Sequence, residues 1–164
     1  MEISRPDEKT ILLAAINPVF TELLRQITSS ADPTGSEAAQ ARLFSPPIAD
    51  LEELQFQEDW QEYVEPELAK LFQTALQKID ADLQTLRINT AKGDATLTIP
   101  SDHLEAWIHG LNQARLVLTE RHHLQEEDLD RPPAPGADPR SFHLLQLHFY
   151  AELQFLFLRL LEGR

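Results

Sequence analysis

The sequence of 164 residues contains no cysteine. That excludes disulfides, thiolate metal sites and a cysteine nucleophile together, and it fits the reducing cytoplasm, where the protein is expected to reside. Bases are scarce as well: 14 Lys and Arg stand against 27 Asp and Glu, for a formal charge of −13. A field of that sign repels nucleic acid and anionic lipid. No run of bases is dense enough to make a local patch, so no nucleic-acid partner is expected. Long apolar stretches are missing too, and without 18 or more consecutive uncharged apolar residues no membrane-spanning helix is predicted. The start, MEISRPDEKT, is polar and acidic and lacks the basic and apolar parts of a signal peptide. The five glycines make no phosphate-cradling loop, and no G-x-S-x-G elbow or other cofactor motif occurs.

What is present suits one helical domain over residues 1–164, a length that buries a core without staples. The fold expected is all-α: about five helices bundled around an apolar C-terminal helix, with one small β-hairpin near 87–99 and loops at 29–49 and 124–137. The first helix is expected from Ser4 to Ile27, with Pro6 in its first turn and Leu12, Ile16, Val19, Phe20, Leu23 and Ile27 in phase. Pro18 predicts a kink near Ala14–Asn17. Glu37–Leu43 suits a short helical turn. Asp50 and Glu53 form a D-x-x-E start for a helix to about Tyr63. Leu68, Leu71, Phe72, Ala75, Leu76, Ile79, Leu83 and Leu86 mark the next helix. It opens at Pro66 or continues the phase of Trp60 and Val64 as one kinked helix. Arg87–Asn89 and Ala95–Ile99 alternate about Lys92-Gly93-Asp94, which predicts the hairpin.

Asp102 and Glu105 open a fourth helix reaching about His122, with Leu104, Trp107, Ile108, Leu111, Arg115 and Leu118 in phase. Asp138 caps the last helix and Pro139 starts it. That helix is apolar on nearly every side, as a central helix is, or one that another chain covers. No internal repeat is detectable, and no heptad persists long enough for a coiled coil.

Three constellations stand out. Glu120-Arg121-His122-His123 contains a single E-x-x-H, whereas di-iron bundles need two plus further carboxylates; a cation at a helix C-terminus explains it as well. Residues 50–67 carry eight acids, either a docking surface for a basic partner or a solvated face. No pair among 27 acids can be singled out for hydrolytic chemistry, so no catalytic or metal residue is assigned. Arg115 is aimed towards the core, where its charge cannot be shed and must be paired. Glu152 on the last helix is its expected partner in an interhelical salt bridge. The alternative is a pocket between the fourth and fifth helices lined by Trp107, Asn112, Arg115 and Tyr150, suited to a small anionic ligand.

The order Arg42-Leu43-Phe44, an acidic helix, Ala106-Trp107-Ile108, then Leu111-Asn112-Gln113-Ala114-Arg115-Leu116-Val117-Leu118-Thr119-Glu120-Arg121 and Tyr150-Ala151-Glu152-Leu153-Gln154 resembles an uncharacterised bacterial family. It is catalogued as domain of unknown function two-thousand-and-seventeen. Gln113 stands where that family usually has an acid, and Thr119 where it has a glycine. The resemblance implies a cytoplasmic bacterial protein with no established activity, associated through its genes with the adaptor of the Clp protease and hence with protein turnover. Some members carry a transcription-regulator label, to which the charge here gives no support. The function expected is a non-enzymatic helical protein-interaction module, with a homodimer through the C-terminal helix as one form of it.

Overall fold

The computed structural model of the chain describes residues 1–46, 54–129 and 138–163. The D-x-x-E of Asp50 and Glu53, and residues 130–137 of the loop predicted at 124–137, lie outside the described residues.

The architecture is mixed α/β, not all-α. A four-stranded antiparallel sheet in the order β1-β2-β4-β3 packs one face against the helices. Its strands are β1 (Glu2–Asp7), β2 (Thr10–Ile16), β3 (Arg87–Asn89) and β4 (Asp94–Pro100). The predicted hairpin at 87–99 is therefore only half of a sheet, and the predicted first helix is a strand pair followed by the short helix α1 (Pro18–Arg25).

The reason lies at Ala15. It adopts a positive φ of 50°, and the pairing of β2 with β4 slips between Leu13 and Ile16. This β-bulge breaks the alternation, so that Ile11, Leu13 and Ile16 all face inward and are fully buried. Their spacing of two and then three residues does not read as a strand, and Leu12 to Ile27 fits the helical template by coincidence. Pro6 lies in β1, an edge strand where a missing N–H costs no ladder bond. Pro18 does not kink a helix but starts one: Asn17 is its N-cap, and its side chain accepts a hydrogen bond from the Phe20 N–H at 2.8 Å.

The other helices follow their periodic patterns. They are α2 (Ile27–Ser30), α3 (Glu37–Phe44), α4 (Leu54–Asp59), α5 (Glu65–Leu83), α6 (Leu104–Arg121), α7 (Glu126–Leu129) and α8 (Pro139–Glu162). A π-helical turn over Trp60–Val64 joins α4 to α5 without a break, which is the single long helix that the phase of Trp60 and Val64 allowed. Pro66 explains the irregularity: it has no N–H to give to the carbonyl four residues back, so the turn widens before it.

The inner face of the sheet packs Ile11, Leu13, Ala95, Leu97 and Ile99 against Leu23, Ile27, Ile79, Leu104, Leu111, Tyr150 and Phe157 of the helices. The central helix is α6, which touches α2, α3, α5 and α8. The C-terminal helix, expected to be central, is peripheral. The buried residues of α6, from Leu104 to Leu118, spread over more than half of its circumference, and Gly110 lets Ile79 of α5 approach closely. Two polar ties hold α8 and α6 to α1 and to the end of α2. Tyr150 donates to the Leu23 carbonyl at 2.8 Å, and Gln113 donates to the Ala31 carbonyl at 2.9 Å. The amide at 113 is thus a neutral anchor.

Candidate functional site

The five polar or pocket residues singled out in the sequence do not converge. Trp107 and Tyr150 are fully buried members of the core. Burial raises the Tyr150 phenol to about 12, and its hydroxyl bonds Leu23 and Gln146. Asn112 and Glu152 are exposed.

Arg115 is half-buried as expected, but its partner is not Glu152. Its Nη1 donates to Gln154 Oε1 at 2.6 Å, and Gln154 in turn donates to the Ile108 carbonyl. Positions 152 and 154 stand about 200° apart around a helix, and Gln154 is the one that faces α6. Among the described residues Arg115 Nε is buried without a partner, and no carboxylate bonds the guanidinium. Burial holds its pKa below the ordinary value.

A buried carboxylate that the sequence reading missed lies at the end of α5. Asp82 is 4% exposed. It accepts from Trp107 Nε1 at 2.8 Å, and His103 Nδ1 lies 3.0 Å from both of its oxygens. This arrangement ties the end of α5 to the start of α6 and holds the imidazole ring against the carboxylate. The signal was available: Asp82 follows the buried Ala75 and Ile79 at spacings of four and three, so it falls on the apolar stripe of α5.

The E-x-x-H does not gather on one face either. Glu120 lies 4.0 Å from Arg42, while His123 sits beyond α6 with a φ of 49°. His122 instead stacks on His143 of α8, with ring centroids 3.5 Å apart and an angle of 14°. Burial, then His143, Arg121 and His123, lower the His122 pKa below 6.5.

The remaining feature is the outward side of α8. Phe155 is 53% and Leu158 38% exposed, although both belong to a helix whose other side buries Phe149, Leu153 and Phe157. The Arg159 guanidinium lies 5.9 Å from the Phe155 ring, and Glu152 is exposed one turn earlier. Among the described residues no helix is long and apolar enough to cross a membrane.

A family model described as "Domain of unknown function (DUF2017)" matches residues 5–161. No curated protein and no solved structure matches the chain.

Proposed function

The chain belongs to the DUF2017 family, and from that premise we propose that it is a non-enzymatic protein-interaction module that pairs with a second copy of itself through the outward side of α8. The observation that carries this is the exposure of Phe155 and Leu158 between Glu152 and Arg159. Large apolar side chains grouped on one helix face and rimmed by charges of both signs have the make-up of an interface. Phe155 alone leaves about 100 Å² uncovered, half of a typical aromatic side chain. Such a face is small against the roughly 800 Å² per partner of a standard interface, so the association is weak and reversible.

The chain has no cysteine of its own, which gives a direct test. Under oxidation, Leu158→Cys forms a disulfide-linked dimer at protein concentrations where Leu71→Cys does not. Leu71 is the control because it is 64% exposed on α5, away from this face. Equal cross-linking of the two variants counts against the proposal.

A further inference from the structure

We infer that Arg115 receives its missing acid from a second copy of the chain, docked antiparallel along α8 with Glu162 of that copy against the guanidinium. The inference rests on the pairing proposed above and adds its register.

Arg115 is an incomplete site within one chain. It is half-buried, and among the described residues the one partner that its guanidinium bonds is the neutral Gln154. An arginine cannot neutralise itself, so a desolvated guanidinium calls for a carboxylate. Gln154 places this guanidinium along one flank of the outward face of α8. Along that face Leu144, His148, Ala151, Phe155, Leu158 and Glu162 follow one another at alternating spacings of four and three, the repeat of a helix-pairing seam. Leu144, His148 and Ala151 are half-buried, and Phe155, Leu158 and Glu162 are exposed. Glu152 and Arg159 stand seven residues apart on the other flank, and therefore at nearly the same angle around the helix.

Two orientations of a symmetric pair are available, and the charges decide between them. An antiparallel pair brings like flanks together. With the twofold axis between Phe155 and Leu158, each Phe155 meets the other copy's Leu158, and each Glu152 meets the other copy's Arg159. Glu162 then lies over Ala151, beside Arg115. Every charge on the face acquires an opposite. A parallel pair sets Glu162 against Glu162, and it leaves Arg159 facing the neutral Gln154. Like charges directly opposed disfavour that arrangement, and the antiparallel helix dipoles favour the other.

The test is a double-mutant cycle on the dimer dissociation constant of the full chain, measured by sedimentation equilibrium. Arg115→Gln and Glu162→Gln are each expected to weaken the dimer about tenfold, and the double variant no further than either single one. A dimer unchanged by Arg115→Gln but dispersed by Phe155→Asp overturns this register and leaves the pairing standing. Coupling of Arg115 to Glu152 instead of Glu162 overturns it in favour of the parallel pair. A wild-type chain that never dimerises overturns both. Should Arg115→Gln fail to fold, Glu162→Gln at the exposed helix end decides alone, since an unchanged dissociation constant contradicts the contact.

Discussion

At the scale of single residues, the protein's polar interior depends on a few donors that each have one place to go. Asp82 is the clearest case. Removing its carboxylate by Asp82→Ala strands the Trp107 N–H and the His103 Nδ1 in a buried site, at an expected cost of about 2–4 kcal/mol in urea unfolding. A loss under about 0.5 kcal/mol would mean that the contact contributes little. His122 gives a prediction with a sign. Its folded pKa is lowered from 6.5 by burial and by His143, Arg121 and His123, so the unfolded chain takes up the proton first. The stabilisation is therefore complete above about pH 6.5 and is lost as the pH falls through that value towards the lowered folded one. His122→Asn should flatten the fall in urea midpoint below pH 6.5; an unaltered slope contradicts the assignment. Of these residues, Arg115 was legible in the sequence and its partner was not. Periodicity says which side of a helix a position takes, but a stem as long as arginine's reaches several neighbours, and Glu152, the acid that interrupts the apolar last helix, points away from it.

At the scale of elements, helix packing turns on Gly110. A Cβ built there overlaps Ile79 Cδ1, at the point where α6 crosses α5. Gly110→Ala gains about 1 kcal/mol of helix propensity but overpacks a fully buried side chain, so a net loss of about 1–2 kcal/mol is expected. Adding Ile79→Val, which removes the colliding methyl, should recover most of that loss. Strict additivity of the two changes would show that the collision is absorbed elsewhere. Helices of this kind were legible because their stripes are long and their starts are chemically marked, as Asp138 marks α8 by accepting from the Ser141 N–H at 3.0 Å. The strands β1 and β2 were not. The bulge at Ala15 erased the period-two signal, and Pro6 and Pro18 are both compatible with a helix start, although only Pro18 makes one.

At the scale of the whole molecule, charge and shape act against each other. The apolar run of α8 suggested a central helix, yet α6 took that place, with buried residues over more than half of its circumference. Part of the apolar surface of α8 was thereby left facing outward. Two chains of −13 each repel by on the order of 20 kcal/mol at ~30 Å in unscreened water, and that repulsion collapses once the Debye length falls to about 8 Å. Association through α8 should therefore tighten as salt rises from about 10 mM to about 150 mM, even though its rim ion pairs weaken. The most direct measurement is sedimentation equilibrium of the wild-type chain at physiological salt across a concentration series reaching roughly 1 mM, since an interface this small predicts a weak dissociation constant. The account predicts a weight-average mass that climbs towards that of two chains, and that stays at one chain in Phe155→Asp. A wild-type mass that remains that of a single chain throughout would contradict it.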